Sequence, residues 1–561
     1  MNKSWQYYEA NNLLAEEISK KFNISKLLAQ ILINKGIVED EKIGIFLNPK
    51  RNNFYDPFLM PNMEKAVNRI IEGIENKEKV LIYGDYDVDG ITSTTVLKKF
   101  LKERGLEAEY HIPNRLKEGY GLNKQAIEEI AKKDIQLMIT VDCGITAVGE
   151  IEFAKSLGIE TIITDHHEPA DILPEAYAII DAKIEGNKYP FNQLAGVGVV
   201  FKLIQAISIK LGLNEKEYLK YLDLVCLGTI SDIVPLIDEN RVIAKLGLKL
   251  VNVTKNLGLR TLLILSGYKT ADSNTISFGI APRINACGRM GFEKKALQLL
   301  LSEDREEVLK LAEDLNEYNK ERQEKEKEIF VEAIKQIDEK EKENPAIILG
   351  GNGWHHGVTG IVSSKITETY YKPSILIGFE GEDGKGSGRS ISGIDLHEAV
   401  LKCSNKLEKF GGHAMAIGLS INKSNFKDFK EEINKYLKTK NIKEIKQIIM
   451  IDVIANLKDI NLKTVEELGL LEPFGEVNKM PNFCFKNLKI DSIRALTEGK
   501  HLKVNLRDEN MQINCIGFNM GEKAIEYKIG DKVDAVGSLE INEYNGMKNI
   551  QLNLKDIMKS L

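Results

Sequence analysis

The chain is 561 residues long, with 43% hydrophobic and 29% charged residues. These proportions are typical of a soluble globular protein, and the length indicates several domains because a single core is unusual at this size. No apolar run reaches the roughly 20 residues that cross a bilayer, and the first residues do not resemble a signal peptide, so we expect a cytoplasmic protein without membrane attachment. The six cysteines lack paired spacing and indicate neither a disulfide framework nor a zinc cluster. With a net charge of −6, binding to nucleic acid would require a local basic groove.

The first half of the chain predicts a helical segment followed by an α/β domain. Residues 1–75 place apolar positions at helical spacing, which predicts a helical N-terminal segment. Over 76–245, short apolar runs alternate with helical patterns, which predicts a parallel sheet covered by helices on both faces. The expected strands are Val80–Tyr83, Tyr110–Ile112, Gln136–Val141, Thr161–Thr164 and Tyr177–Ile180.

A turn with three acids follows the first of these strands. Asp85, Asp87 and Asp89 alternate in this turn, between Gly84 and Gly90. Carboxylates that are this close repel one another, so the pattern suggests a bound metal ion. A solvated acidic loop and the start of a calcium loop are the alternatives, but an apolar helix start follows where the later calcium ligands would stand. A strand-to-helix junction is also the usual place for ligands in an open α/β sheet.

Ligand-type side chains also follow two later strands. Asp142 comes directly after one strand, and His166 and His167 come just after another. An acid at a strand end is often only a turn or helix cap, but acids and histidines at several strand ends favour a shared site. We expect one histidine to coordinate a metal and the other to face a substrate phosphate or hydrogen-bond a neighbour. Asp232, at the end of an apolar helical run, either caps a turn or returns to the same edge as a further ligand.

These segments together resemble the motifs of the DHH phosphoesterase superfamily, and within it the RecJ family of bacterial single-strand-specific 5′→3′ exonucleases. The segments are Gly84–Gly90, Val141–Gly144, Asp165–His167 and Gly228–Asp232. The resemblance implies that two metal ions are held by five residues and that two more lie close by in the catalytic site. The five are Asp87, Asp89, Asp142, His166 and Asp232, and the two are Asp85 and His167.

The residue types agree with that implication. Carboxylates with one or two imidazoles suit two Mn²⁺ or Mg²⁺ ions, and the nitrogen ligand favours Mn²⁺. Two such ions can activate water and stabilise the attacking and leaving oxygens of a phosphodiester. Asp89 and Asp142 are both natural bridging carboxylates, and the sequence does not decide between them. His167 is placed to hydrogen-bond the phosphoryl oxygens.

Basic and glycine-rich segments provide candidates for substrate binding. Arg115 follows a strand, and with the family resemblance it and Arg289 become candidates to clamp phosphate. Glycine-rich turns are predicted at 385–390 and 411–416, where backbone N–H groups can cradle phosphate. The resemblance identifies these turns with a DHH-associated substrate domain. It implies that Ser387 and Arg389 hold a 5′-phosphate, and that Gly411, Gly412 and His413 line the cleft.

The remaining segments complete an α/β multidomain architecture. Residues 246–343 predict a helical region with a long connecting helix from Ser302; a coiled-coil arm is less favoured because the apolar seam lapses between Tyr318 and Ile329. Residues 344–445 predict the second α/β, DHH-associated domain. Residues 446–561 contain five short strand candidates, which with the family resemblance predict a C-terminal OB-type β-barrel that binds nucleic acid.

The resulting hypothesis is a metal-dependent exonuclease that degrades single-stranded DNA 5′→3′ to 5′-mononucleotides in DNA repair and recombination. Single-stranded DNA is the implied partner, together with a RecQ-type helicase and a single-strand-binding protein. One alternative is a phosphodiesterase for short oligonucleotides or cyclic dinucleotides, which does not require a C-terminal barrel. The other is a non-catalytic DNA-binding replication scaffold, which should have lost ligands that this chain keeps.

Overall fold

A computed structural model describes residues 3–115, 117–440, 442, 445–544 and 546–560. Within these ranges, none of the helices has both the length and the apolar character needed to cross a membrane. The chain starts with an N-terminal segment, Lys3–Leu47. Its elements are β1 (Lys3–Tyr7), α1 (Asn12–Phe22), α2 (Lys26–Asn34) and α3 (Asp40–Leu47).

The first α/β unit contains the predicted parallel sheet, with strand order β3-β2-β4-β5-β6. Its elements are α4 (Met63–Asn76), β2 (Val80–Tyr83), α5 (Val88–Lys102), β3 (Glu109–His111), α6 (Lys124–Ala131), β4 (Leu137–Val141), α7 (Val148–Ser156), β5 (Glu160–Thr164), β6 (Ala178–Ile180), α8 (Gly196–Lys210), α9 (Lys216–Leu219), α10 (Leu222–Ser231) and α11 (Asp238–Val251). Every residue of β2 and β4 is buried, because helices cover both faces of the sheet. Parallel pairing therefore brings the carboxyl ends of β2, β4 and β5 to one edge.

A helical region leads to a long connecting helix, and the structure confirms the prediction of this helix. Its elements are α12 (Leu257–Leu265), α13 (Ala281–Met290), α14 (Glu293–Leu301), α15 (Arg305–Gln336) and α16 (Glu339–Glu343). The helix α15 has 32 residues, and the Asp304 side chain caps it by accepting from the Glu307 N–H at 2.8 Å. Where the apolar seam lapses, α15 buries the polar residues Asn319, Arg322 and Glu326 instead. The helix therefore packs against the rest of the chain through polar side chains in this stretch.

The second α/β unit contains a mixed sheet with strand order β10-β11-β9-β8-β7. Its elements are β7 (Ile347–Asn352), α17 (His356–Tyr370), β8 (Ser374–Glu380), β9 (Asp383–Arg389), α18 (Leu396–Lys402), β10 (Lys409–His413), β11 (Ala416–Asn422) and α19 (Phe426–Leu437). The prediction of glycine-rich turns was wrong for most of both segments, because they form β9 and β10. A Cβ on Gly386 would lie 2.7 Å from Ile377, so close strand packing accounts for that glycine.

The C-terminal unit is a closed barrel, as predicted. Its elements are β12 (Gln447–Ile451), β13 (Val453–Ile454), α20 (Leu462–Glu467), β14 (Phe483–Leu496), β15 (His501–Arg507), β16 (Gln512–Gly517), α21 (Lys523–Glu526), β17 (Lys532–Tyr544) and β18 (Met547–Lys559). The strands run in the order β14-β15-β16-β18-β17, and β17 pairs back with β14 to close the barrel. The additional strand β13 pairs in parallel with β14.

The N-terminal segment differs from the prediction in its first element and in its partner. Instead of being entirely helical, it begins with β1, which pairs in parallel with β12. The Trp5 indole N–H also donates to Asp556 at 3.0 Å. The helices α1, α2 and α3 share one apolar core with the barrel, whereas α4 packs into the first α/β unit. The two ends of the chain therefore form one packed body.

Candidate active site

The acids and histidines selected from the sequence meet at the carboxyl edge of the first sheet. The turn after β2 carries Asp85 and Asp87, while Asp142 follows β4 and His166 follows β5. Asp232 reaches the same place from the C-terminus of α10. Within the described residues there are three sets of three side chains whose ligand atoms lie within 4.8 Å of one another inside each set. The sets are Asp85, Asp87 and Asp142; Asp89, His166 and Asp232; and Asp142, His166 and His167.

Asp142 is held closely against the first turn of α8. Its φ of 60° lies in the left-handed region, which Asp adopts more readily than most residues. A Cβ on Gly196 would lie 2.7 Å from the Cβ of Asp142, so glycine allows the close approach. Gly196 was not predicted as a functional residue, although its Ala195-Gly196-Val197-Gly198 context at a helix start was a usable signal.

Asp89 is fixed by backbone donors at the N-terminus of α8. Its carboxylate accepts from the Gly196 N–H at 2.6 Å and from the Val197 N–H at 2.8 Å. Burial and the neighbouring Asp87 nevertheless raise the pKa of Asp89 to about 7. The Asp89 side chain is therefore fixed in position, but its ionised form is disfavoured, and a bound cation would stabilise that form.

His166 presents an unpaired ring nitrogen to the carboxylates. Its Nε2 lies 3.1 Å from Asp142 Oδ1, 3.6 Å from Asp232 Oδ2 and 3.8 Å from Asp89 Oδ2. This buried atom forms no hydrogen bond with any described residue. Burial and the adjacent His167 lower the pKa of His166 to about 3. The imidazole is therefore neutral at physiological pH and offers a lone pair, which is the form that binds metals.

Asp165 was not predicted as a site residue, but it holds the backbone of both histidines and the ring of His167. Its Oδ1 accepts from the backbone N–H of His166 at 2.7 Å and lies 2.7 Å from the ring nitrogen Nδ1 of His167. Its Oδ2 accepts from the Ile145 N–H at 2.9 Å. The Tyr120 hydroxyl lies 3.3 Å from His167 Nε2. Although burial opposes the charge, the hydrogen bond to Asp165 leaves the pKa of His167 raised. The available signal was the position of Asp165 at a strand end, directly before two histidines.

Tyr86, in the acidic turn, connects this cluster to the basic residues. The Arg115 guanidinium lies over the Tyr86 ring, 5.0 Å from its centre. On the other side, a Cβ on Gly288 would lie 2.9 Å from the Tyr86 carbonyl oxygen. Gly288 immediately precedes Arg289, so both predicted arginines lie beside the acidic turn.

Arg289 also contacts the second α/β unit. Its Nη1 donates to the Gly357 carbonyl at 2.9 Å, in the first turn of α17. One turn later, a Cβ on Gly360 would lie 3.3 Å from Arg389 Nη2 and 3.5 Å from Ser387 Oγ. The structure therefore brings Ser387 and Arg389 together beside the helix that Arg289 contacts.

The arginines form a local cluster of positive charge in an otherwise acidic protein. Burial, with the charges of Arg115, Arg322 and Arg389, lowers the pKa of Arg289 to about 9. Arg322 on α15 was not selected from the sequence, and it forms an ion pair with Glu326. Arg115, Arg289 and Arg389 are half-buried. Bringing like charges together away from water is costly unless an anion binds between them, so their placement favours a phosphate ligand.

The remaining predicted residues lie on the edge strand β10. Gly411, Gly412 and His413 are all exposed. His413 pairs with Ala416, which pairs with Arg389 on the next strand. His413 is thus two strands from the arginine cluster, and its predicted contact with the cleft stays a prediction.

Comparison with known proteins supports the same family as the motifs. Three family models match: the DHH family N-terminal domain over 79–229, the DHHA1 domain over 343–439 and the RecJ OB domain over 451–556. A single-stranded-DNA-specific exonuclease RecJ from Bacillus subtilis strain 168 is 39% identical over 558 residues, covering 98% of this chain and 70% of that protein. The chain belongs to the RecJ family.

Other RecJ proteins extend the match to the whole fold. The RecJ exonuclease of Haemophilus influenzae is 34% identical, with 91% of this chain and 92% of that protein covered. A crystal structure of Thermus thermophilus RecJ in complex with Mn²⁺ matches with a TM-score of 0.87 and 28% identity, covering 99% of this chain and 80% of that chain. A Mg²⁺ complex of RecJ from the same organism also matches, with a TM-score of 0.80.

We expect the stability of the metal-free protein to fall between pH 6.5 and pH 8.5. Burial and mutual repulsion raise the pKa of Asp89 to about 7 and raise those of Asp85, Asp142 and Asp232. The folded state therefore retains protons that an unfolded aspartate, with a pKa near 4, has released. Because the folded state binds more protons, its stability falls as the pH rises through the pKa values of the folded protein. The lowered pKa of His166 makes stability rise with pH instead, but this change is complete above about pH 6.5 and does not affect the comparison.

Thermal unfolding of chelator-treated protein at the two pH values measures this difference. Added Mn²⁺ should raise the melting temperature more at pH 8.5 than at pH 6.5, because a cation neutralises the ionised carboxylates. Equal melting temperatures at both pH values without metal would contradict the prediction.

Proposed function

We propose that this RecJ protein is a metal-dependent exonuclease that degrades single-stranded DNA in the 5′→3′ direction and releases 5′-mononucleotides. The observation that carries the proposal is the placement of the arginine cluster beside the acidic turn. A site that holds a terminal 5′-phosphate next to the reacting centre selects the 5′ end of a strand and limits each cleavage to one nucleotide. The relatives from Bacillus subtilis and Haemophilus influenzae are single-stranded-DNA-specific exonucleases, which supports a single-stranded DNA substrate.

The donor set fits Mn²⁺ or Mg²⁺. The buried Nε2 of His166 and Oδ1 of Asp85 have no hydrogen-bond partners among the residues that the structure describes, so polar atoms are available in a site that lacks counter-charge. When bound, two such ions supply an activated water and stabilise the attacking and leaving oxygens. We propose Asp87, Asp89, Asp142, His166 and Asp232 as the ligands.

The chain's own residues then have distinct proposed roles. Asp142 belongs to two of the three ligand-atom sets, one with Asp85 and one with His166, which supports it as the bridging carboxylate. Asp85 lies at the edge of the metal site and shares the acidic turn. His167, held by Asp165 and with a raised pKa, is placed to donate a hydrogen bond to a phosphoryl oxygen.

The basic residues orient the strand. Planar guanidinium groups bind phosphate in a bidentate manner, so Arg115, Arg289 and Arg389 suit a terminal 5′-phosphate, with the Ser387 hydroxyl as a further donor. We propose that Gly411, Gly412 and His413 on the open edge strand line the path of the first nucleotide, where small residues leave room.

The proposal extends to cellular context. A single-strand-specific nuclease requires an unwound strand, so a RecQ-type helicase and a single-strand-binding protein are proposed partners in DNA repair and recombination. The barrel supports binding of a longer strand than a dinucleotide phosphodiesterase requires. We propose the cytoplasm as the location.

Product analysis with Mn²⁺ tests the proposal. We expect single-stranded DNA with a 5′ label to release labelled mononucleotide at once and the same strand with a 3′ label to give a shortening ladder, while matched duplex stays intact. Turnover of a dinucleotide alone would indicate a short-oligonucleotide phosphodiesterase instead. Tight strand binding with no turnover would indicate a scaffold.

A further inference from the structure

A small pocket with a basic lining opens beside Ser387 on the second α/β unit. Its volume is about 290 Å³, and it lies between β9, β10, β11 and the first turns of α17. The volume corresponds to roughly ten water molecules, which is more than one phosphoryl group occupies. Its polar lining residues are His356, Thr359, Lys385, Ser387, Lys409 and Ser420.

The strand register places the two lysines of this pocket on the same side of the sheet as the proposed phosphate residues. Lys385 pairs with Ser420, and Ser420 pairs with Lys409. Side chains two residues apart on a strand point to the same face, so Lys385, Ser387 and Arg389 share one face. Two residues of strand span about 6.6 Å. Lys385 and Lys409 thus lie beyond Ser387, on the side away from Arg389.

The two lysines that line the pocket are exposed at its mouth. Neither Lys385 nor Lys409 has a hydrogen-bond or ion-pair partner in the described ranges of the chain. The buried Nδ1 of His356 also lacks a partner among described atoms, while its Nε2 lies 3.3 Å from the largely exposed Glu380. Two exposed ammonium groups without protein partners, beside one cavity that also has hydroxyl groups, suit an anion with several oxygens.

We propose that this pocket binds the outer phosphoryl groups of a strand with a 5′-polyphosphate end. The inference rests on the proposed function, in which Ser387 and Arg389 hold the first 5′-phosphoryl group. A 5′-triphosphate bound there extends its outer phosphoryl groups toward Lys385 and Lys409. The pocket thereby allows the enzyme to start on a triphosphorylated end without prior trimming.

The first cleavage then has a defined product. Water adds to the phosphorus between the first and second nucleotides, the bond from that phosphorus to the 3′ oxygen breaks, and this oxygen takes up a proton. The first nucleotide leaves as a nucleoside 5′-triphosphate with a 3′-hydroxyl. The shortened strand keeps a 5′-monophosphate, so every later cleavage yields a mononucleotide.

Binding of two strands of identical sequence tests the proposal, one with a 5′-monophosphate and one with a 5′-triphosphate. The full-length protein carries Asp142→Asn to block turnover, with and without Lys385→Ala and Lys409→Ala. We expect the double lysine change to weaken binding of the triphosphate strand by about tenfold or more, because hydrogen bonds to charged groups are the strongest in proteins. Binding of the monophosphate strand should change less than about twofold. Lys427→Ala on α19, which packs on the opposite face of the sheet, is the matched control.

Two results would overturn the proposal: equal losses for both strands, or no loss for either. Activity separates this failure from failure of the proposed function. If the otherwise unmodified protein releases mononucleotides from the 5′-monophosphate strand but no nucleoside triphosphate from the 5′-triphosphate strand, only the pocket proposal fails. If it releases no mononucleotides from the 5′-monophosphate strand, the proposed function fails.

Discussion

Replacing Asp142 with asparagine should abolish strand degradation and leave the fold in place. The change removes a charged oxygen from two of the ligand-atom sets, so we expect the turnover rate to fall by about a thousandfold or more. Asparagine tolerates the left-handed backbone at this position, so the loss is not a consequence of strain. Turnover of 5′-labelled single-stranded DNA at saturating Mn²⁺ measures the effect.

The same substitution should stabilise the metal-free protein. Burial and the neighbouring acids raise the pKa of Asp142, so its charge opposes folding when no cation is bound. We expect the free energy of unfolding to rise, because asparagine is neutral at every pH and carries no charge into this buried position. Asp134→Asn is the matched control, because Asp134 also has a left-handed backbone but lies exposed before β4. Retained turnover in the Asp142 variant would refute the two-metal assignment.

Replacing Arg241 with alanine should destabilise the protein by about 3–5 kcal/mol, the cost of a large-to-small change that also leaves buried acceptors unpaired. The Arg241 guanidinium is buried and donates to the backbone carbonyls of four residues, at 2.8 to 2.9 Å. The acceptors are Phe46, Leu470, Leu471 and Glu472. The guanidinium carbon also lies 3.6 Å from the centre of the Phe46 ring. Removing the side chain leaves these carbonyls unpaired and opens a cavity between the first α/β unit, the N-terminal segment and the barrel.

Thermal unfolding and limited proteolysis measure this loss. We expect cleavage near the ends of the chain to appear first, since Arg241 connects α11 to those segments. Lys245→Ala is the control, because Lys245 lies one turn later on α11 and donates to the Glu472 carbonyl at 2.8 Å from a partly exposed position. We expect it to cost less than about 1 kcal/mol. Equal destabilisation by both changes would contradict a special role for Arg241.

The elements that the sequence predicted well are those whose signals are local. The strand Val80–Tyr83 has the predicted bounds, because a buried parallel strand forms a continuous apolar run that ends at a glycine. The carboxyl ends of parallel strands share an edge, so the order of strands and acids was enough to predict that Asp142 and His166 meet. The position of Asp232 beside them required the family resemblance.

The features that the sequence did not predict depend on distant partners. The strand β1 forms only because β12, near the other end of the chain, pairs with it. Glycine-rich β9 and β10 resemble turns locally, and the strands beside them override that preference. Arg241 carries no pattern of its own, because its importance comes from backbone carbonyls that folding brings to it.

The core shared between the N-terminal helices and the barrel has a consequence for synthesis. Leu28, Ile31 and Leu32 share one apolar core with Phe483 and Phe485, which are translated hundreds of residues later. Until then these apolar side chains have no permanent partner, and such transiently exposed surfaces promote aggregation. The first α/β unit can fold while the chain is still growing, whereas the N-terminal helices must wait until the barrel strands have been translated. Overproduction at reduced temperature, or with additional chaperone capacity, should therefore increase the yield of folded protein.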